Sequence, residues 1–410
     1  MKLLKVDSLE QARKKLLQNI TWDIKKTEVI PVEKSFGRVL SGDVKAEAPL
    51  PSFFRSTVDG YAVKAADTQG AGDGLPVFLD IIEEIEIGKP AEKQVVSGTC
   101  SYVPTGGMLP AGADAVVMTE FCELFDQSCT AVYQAVPSGK NVVQIGEDVE
   151  KGETILPAGT RLASAQIGAL AGNGKCSAEV YKPLKVTILS TGDELVAAGE
   201  NLEPAKVYDI NTPALQQLAV EIGFEVVRTQ VIPDQEELLE KAIRTGMRDS
   251  DLVAVSGGSS QGKKDITAEL MDRLASPGVF THGLALKPGK PTILAVDQPS
   301  ETILMGLPGH PAAALMVFRL LTKWMEHWRT GMADSFKIPA FMKCNVPAAP
   351  GKDTCVMVEL NQSEDGQYTA KPVLGKSGLM RTLTGSDGYV RIPMGKEGLK
   401  TGELVWVELF

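Results

Sequence analysis

The sequence predicts a multi-domain α/β plus β protein. A doubly wound parallel-sheet domain is expected over 183–332, a β-rich N-terminal region over 31–145 and a small C-terminal β domain over 333–410. Segments 1–30 and 146–182 are left as a discontinuous linker unit. Three observations carry this prediction. Strand-like and helix-like segments alternate from Leu184 to Trp328, as in a parallel sheet with crossover helices. From Pro49 to Ile145 the chain has short apolar runs broken by Gly and Pro, the texture of a turn-rich β domain. From Ala333 onward short strands such as DTCVMVELN and ELVWVELF return.

The elements follow in order. Ser8 with Gln11 forms a capping box, and Leu9, Ala12, Leu16 and Ile20 share a helical face. Pro31 to Ala48 reads as a linker or short strands, and a short helix is expected from about Ala163 to Leu170. KVTILSTGDEL is then a strand entering a polar turn. NTPALQQLAVEIG is a helix with Pro213 in its first turn and Gly223 past its end. FEVVRTQVIPD is a strand, QEELLEKAIRTGM a helix, DLVAVSGGSSQGKKD a strand with a Gly-rich loop, and ITAELMDRLAS a helix. KPTILAV and ETILMGLPG are further strands, and a helix opened by Pro311 closes the domain.

Composition excludes several classes. The 410 residues suffice for two to four domains, with 43% hydrophobic and 23% charged residues, ordinary for a globular chain. The net charge of -10 repels phosphate backbones, so no nucleic-acid partner is expected, although local lysines and backbone N–H groups can still hold a small anion. Six scattered cysteines form no C-x-x-C pair, and three histidines are too few for a His-rich metal cage. The N-terminal segment lacks a signal-peptide apolar core and no stretch is apolar enough to span a bilayer. The expectation is a cytoplasmic protein with reduced thiols and no membrane association.

In an open α/β sheet, ligands bind beyond the carboxyl ends of the strands. That rule gathers Ser190, Thr191, Gly192, Asp193 and Glu194 after the first strand, Asp209 before the Asn211 helix, the loop from Ser256 through Gly257, Gly258 and Ser259 to Asp265, and the turn Leu307–Pro311. The Gly-rich loop suits an anion because glycines admit close backbone approach; a plain tight turn explains it equally. It is not a Walker A loop, and no G-x-G-x-x-G follows the first strand, which weighs against a nicotinamide dinucleotide. Lys287 and Lys290 flank a Pro-Gly turn and can hold an oxyanion, or can be solvated surface lysines. Asp234, three residues before Glu237, has the capping-box arrangement, and Asp265 can cap the next helix. Together with Asp193 or Glu194, these carboxylates would suit a magnesium ion that keeps most of its waters. Earlier loops carry Arg55, Asp59, Thr105 and Asp148. Gly258–Gly262 also fits G-x-S-x-G, with Ser260, Asp297 and His310 in hydrolase order, but no HGGG-type loop is present and the N-terminal β region has no place in that fold.

Taken together, STVDGYAV from Ser56, PTGGMLPAGADAVVMTE from Pro104, GEDV from Gly146, LSTGDEL from Leu189, YDIN from Tyr208, VIPD from Val231, SGGSSQGKKDIT from Ser256, LKPGKP from Leu286 and GLPGHP from Gly306 resemble the molybdopterin molybdenumtransferases, the family of bacterial MoeA and the gephyrin E domain. The resemblance covers essentially the whole chain. It implies an enzyme that takes adenylylated molybdopterin, inserts molybdate (or tungstate) at the dithiolene with magnesium, and releases AMP. It implies catalytic Asp59, Thr105, Asp148, Glu194 and Asp265, substrate contacts at Ser190, Thr191, Gly257, Gly258, Ser259, Lys287, Lys290 and Ser377, and metal contacts at Asp234, Asp265 and Glu194. It further implies a homodimer in which 1–30 and 146–182 serve dimerisation, with the molybdopterin adenylyltransferase and apo-molybdoenzymes as partners. The chain departs from the usual motifs at Arg55, at Ser259-Ser260-Gln261 and at His310, which bears on oxyanion preference. The alternatives are a gephyrin-like scaffold and the Ser260/Asp297/His310 hydrolase.

Overall fold

The computed structural model describes residues 6–126, 128–257, 266–334, 336–375 and 380–410. Its centre is a six-stranded sheet of β1 (Lys185–Thr191), β2 (Glu225–Ile232), β3 (Leu252–Gly257), β4 (Pro277–His282), β5 (Ile293–Asp297) and β6 (Thr302–Leu307), in the order β2-β1-β3-β6-β5-β4. The β2, β1, β3 and β6 pairings are parallel, as expected. The alternation of strands and helices predicts a wholly parallel sheet, but β5 runs antiparallel to both β6 and β4. Only residues 298–301 join β5 to β6, far too few for a parallel crossover.

Helices cover both faces. Beside the sheet lie α1 (Leu9–Asn19), α3 (Asn211–Ile222), α4 (Glu236–Asp249), α5 (Ile266–Leu274) and α6 (Pro311–Thr330), while α2 (Ser164–Gly172) packs in a separate unit. Along β3, Leu252 and Ala254 join the core of α3 and α6, while Val253 and Val255 join that of α4 and α5. Both faces of the strand are buried, which explains its unbroken apolar run. The Ser8–Gln11 capping box forms as expected. The helix it opens, α1, buries Leu9, Ala12 and Leu16 in the α/β core rather than beside residues 146–182.

Residues 27–45 and 154–181 form a unit of their own. Thr27–Pro31 pairs with Ser177–Tyr181, and Val44–Lys45 with Thr154–Leu156, over a core of Val32, Leu40, Leu162, Leu170 and Val180. Between these segments lies a six-stranded sheet built from 60–132 around Tyr61, Leu79, Cys100 and Val117. At the junction with the α/β domain, Arg329 and Glu326 make a buried ion pair at 2.6 Å, their side chains 1% and 5% exposed, and Arg329 also donates to the Lys182 carbonyl at 3.1 Å.

The C-terminal strands close on themselves. Asp353–Gln362 pairs with Tyr368–Pro372, that with Lys337–Met342, that with Leu404–Leu409, that with Gly388–Ile392, and this last back to Asp353–Gln362. The result is a five-stranded barrel around Ala340, Val358, Ala370, Ile392 and Val407. Leu286–Lys287 joins it by parallel pairing with Asp353–Thr354.

Candidate functional site

The parallel strands end level with one another: Thr191 lies opposite Ile232 and Gly257, and Ser256 opposite Leu307. Ile293, which opens β5, lies opposite Gly306, so the turn carrying Lys287 and Lys290 stands on the same rim. Both lysines are exposed. Their turn lies flat on α6, because a Cβ at Gly289 (φ +131°) would stand 2.5 Å from Val317 Cγ2. Gly257, at φ +107°, lies so close to β1 that a Cβ would stand 2.2 Å from the Thr191 carbonyl oxygen.

Asp234 is not the helix cap its sequence suggests. Gln235 occupies the N-cap of α4, with no side-chain cap hydrogen bond. The Asp234 carboxylate instead accepts the buried Thr191 hydroxyl at 2.7 Å, while the Asp234 N–H donates to Asp193 Oδ1 at 2.9 Å. A rim contact 43 positions away thus outcompetes the local cap. Glu194 folds back over Gly192, whose N–H donates to the Ile232 carbonyl. Thr191, Asp193, Glu194 and Asp234 therefore gather around the ends of β1 and β2. Ser190 is different: it is fully buried and its hydroxyl accepts from Thr212 at 2.8 Å, so it braces α3 beneath the rim. Gly258, Ser259, Ser260, Asp265 and Ser377 lie outside the described residues.

A second group forms in the N-terminal half. Asp59 Oδ1 accepts the Thr105 N–H at 2.6 Å. That backbone N–H, with the Thr105 side chain, holds the exposed Asp59 carboxyl below the usual carboxylate range, so it is an anion at neutral pH. Segment 50–56 gathers the loops. Leu50 accepts the Asp148 N–H at 3.1 Å, Pro51 accepts from Gly146 at 3.0 Å, and Ser56 exchanges backbone bonds with Gly106 and Gly107. Asp148, Thr105 and Asp59 are thus carried by loops braced on one segment. Among the described residues no hydrogen bond or ion pair joins this group to the α/β rim.

In the sequence Asn211 stands out only as the start of a helix. The structure buries it between strand ends: its Nδ2 donates to Ser256 Oγ at 2.6 Å and to the Gly309 carbonyl at 2.8 Å, tying β3 to the turn after β6. An amide with two donors can bridge two acceptors, which was the available signal in YDIN. The hydrolase alternative fails on geometry. Asp297 pairs with Thr302, the first residue of β6, and accepts from Ser276 and Ser300, whereas His310 follows the far end of β6. Six residues of strand place these ends about 17 Å apart.

The fold and site define a multi-domain α/β protein with an anion-suited strand-end rim, bearing carboxylates and two lysines. Three family models match in order: the MoeA N-terminal region (domain I and II) over 7–174, a "Probable molybdopterin binding domain" over 187–327, and the MoeA C-terminal region (domain IV) over 339–410. A molybdopterin molybdenumtransferase of Haemophilus influenzae is 30% identical over 407 residues, covering 98% of each chain. One of Bacillus subtilis is 30% identical over 93% of this chain and 90% of its own. The crystal structure of a molybdopterin biosynthesis MoeA protein from Pyrococcus horikosii, 34% identical, superposes with a TM-score of 0.83 over 99% of both chains. The chain belongs to the molybdopterin molybdenumtransferase family and is an enzyme of molybdenum-cofactor biosynthesis.

Proposed function

We propose that this chain takes adenylylated molybdopterin, inserts molybdate at the dithiolene and releases AMP. The observation that carries the reading is the common rim of Thr191, Asp234, Gly257, Lys287 and Lys290 beyond the ends of the parallel strands. Every reactant is an anion. Lys287 and Lys290 oppose the charge of molybdate and of the pterin and adenylate phosphates. Gly257 lets the end of β3 close against Thr191, which sets the start of the anion loop on the rim. Asp59, kept ionised by Thr105, takes the proton of a dithiolene thiol as its sulfur bonds the metal oxyanion and passes it to the displaced oxygen, which leaves as water with the second thiol proton. Asp148 and Asp265 complete the carboxylate set, and Ser377 belongs with the substrate contacts.

Magnesium takes one or two protein carboxylates, keeps waters and shares substrate phosphate oxygens. Among the described residues there is no cluster of three His, Cys, Asp or Glu able to hold a metal ion. Asp234 and Glu194 nevertheless offer two carboxylates at the rim, a donor set that fits such a water-retaining ion. They would hold it, and it would neutralise phosphate charge.

The two groups of residues meet in a homodimer, the α/β rim of one chain facing the Asp59 loops of the other. The lack of mutual bonds between them among the described residues supports this. The partners are the adenylyltransferase that supplies the substrate and the apo-molybdoenzymes that receive the product, in the cytoplasm. Among the described residues no helix is long and apolar enough to cross a membrane.

The test is a magnesium- and molybdate-dependent release of AMP from adenylylated molybdopterin. Folded protein that neither releases AMP nor incorporates metal overturns the proposal. For the shared site, Asp59→Asn and Asp265→Asn homodimers should each be nearly inactive. Mixed dimers should regain activity, because one site carries both lesions and the other none. Differently tagged chains that form mixed dimers without regaining activity refute it.

A further inference from the structure

Sharing no residue with the strand-end rim, a cavity of about 250 Å³ is lined by α1, α6 and the C-terminal barrel. Its wall is strongly cationic in a chain of net charge -10: Arg13, Arg319, Lys323, Lys337 and Arg391 face it, against Asp334 and Glu408. Three of the five cations are neutralised. Arg391 pairs with Glu10 and with Asp353 at 2.6 Å, Arg319 pairs with Glu221 at 2.9 Å, and Lys337 pairs with Glu408 at 3.0 Å. Glu408 also accepts the Tyr389 hydroxyl at 2.7 Å, and Asp334 turns to His327 at 3.3 Å.

Among the described residues Arg13 and Lys323 make no ion pair; Glu10 and Glu408 act on Arg13, and Glu408, Glu221 and Asp334 on Lys323, only at longer range. Arg13 gives Nη2 to the Leu320 carbonyl at 2.7 Å and lies 5.0 Å over the Trp324 ring, while its buried Nε has no partner. Lys323 has no hydrogen-bond acceptor or ion pair among the described residues. Burial lowers both groups' affinity for their protons. Burial, then Arg391, brings Arg13 down to about 10; burial, then Arg319, holds Lys323 below the usual lysine value. Two partly desolvated cations facing one cavity are costly unless an anion joins them. Ligand pockets for drug-sized molecules begin at about 300 Å³, so this cavity suits something smaller.

We propose that this cavity binds a small phosphate-type oxyanion, free or carried on a small ester, held chiefly by Arg13 and Lys323. Because its wall comes from α1, α6 and the barrel, occupancy ties the C-terminal barrel to the α/β domain and raises the stability of that seam by mass action. The site is separate from the strand-end rim and does not depend on the reaction proposed above.

Isothermal titration calorimetry on the full chain, without molybdopterin, tests it. Sodium phosphate and glycerol 3-phosphate are titrated separately, with sodium chloride at matched ionic strength as control. One saturable site per chain is expected, present in the Lys287→Gln/Lys290→Gln variant. Lys323→Gln should weaken it about tenfold or more, the loss of one charge-assisted hydrogen bond, and Lys323→Arg should retain it. Tighter binding of the ester than of free phosphate identifies an esterified ligand, and the reverse identifies the free ion. Without phosphate, Lys323→Gln should melt no lower than the parent, since it removes an unpaired desolvated charge, so loss of binding is separable from unfolding. Equal heats with chloride, unchanged binding in Lys323→Gln, or binding lost only in the Lys287/Lys290 variant overturns the proposal.

Discussion

Replacing Arg329 with Met tests how the α/β domain is held to the strand that precedes it. Met keeps most of the side-chain volume and removes the charge. The guanidinium makes three hydrogen bonds to Glu326, of 2.6 to 3.0 Å, and a fourth to Lys182. Without it Glu326 is a buried carboxylate with no bonded counter-charge, Arg161 and Arg38 acting on it only at longer range, and breaking such a pair on one side costs about 3–5 kcal/mol. At about 2–4 °C per kcal/mol for a domain of this size, the melting temperature should fall by about 6–20 °C. The sign with pH follows from Glu326, whose folded pKa burial already raises above 4.5 against the opposing pull of Arg329. Removing Arg329 raises it further. A raised carboxyl favours folding below its unfolded pKa and loses that contribution as pH rises through the folded value, by up to about 1.4 kcal/mol per pH unit. The deficit should therefore be larger at pH 8 than at pH 5. Trp324 and Trp328, on the same helix, give a fluorescence signal for thermal melts at both values. Adding Glu326→Leu should restore most of the loss, because the orphaned charge is then gone. Arg329→Met melting within 2 °C of the parent at pH 8 (under about 1 kcal/mol), or a deficit that does not shrink toward pH 5, refutes the reasoning.

Other outcomes follow from the rim and the thiols. Thr191→Val removes the donor to Asp234; a double-mutant cycle with Asp234→Ala, read by urea unfolding, should give a coupling of about 1–2 kcal/mol, whereas additivity within about 0.5 kcal/mol would show that the bond contributes nothing. Gly257→Ala forces a Cβ against the Thr191 carbonyl and should lower stability by about 1–3 kcal/mol while abolishing AMP release; an unchanged melt and full turnover would contradict the close approach. Asp265→Asn, which keeps capping ability, should melt near the parent yet lose most activity, and full turnover would make Asp265 structural. Burial pushes the Cys100 and Cys355 thiols up to about 12, so a thiol reagent at pH 8, read by peptide mass spectrometry, should label exposed Cys176 and Cys344 first; early labelling of Cys355 would contradict its burial.

What the sequence revealed depended on the range of the interaction. The α1 cap and the crossover strands rest on residues a few positions apart, and both appear as expected. The antiparallel course of β5 was missed, because apolar texture alone does not encode direction, although a four-residue connection cannot carry a parallel crossover. Longer-range events were not legible. Val44 finds Leu156, and Asp234 forgoes a cap for Thr191, through pairings that no local pattern announces. The loop residues Asp59 and Thr105 were visible as polar turns, but their mutual bond crosses 46 positions. Ser190 and Asn211 show the complementary case: motif position marked both, and only packing separates a brace beneath the rim from a group upon it.

The ring of pairings in the C-terminal barrel has a mechanical meaning. A sheet with two free margins can unravel from either one, strand by strand. A closed loop has no such margin, so its amides should exchange with deuterium together, by one concerted opening, instead of in a graded series. Cutting away the last strand, Leu404–Leu409, would create two raw margins at once, on Lys337–Met342 and on Gly388–Ile392. Leu286–Lys287 is hydrogen-bonded to the same ring, so the lysine turn depends on a hoop that is either whole or open. A truncation far from the rim in sequence would thus be felt at the rim directly.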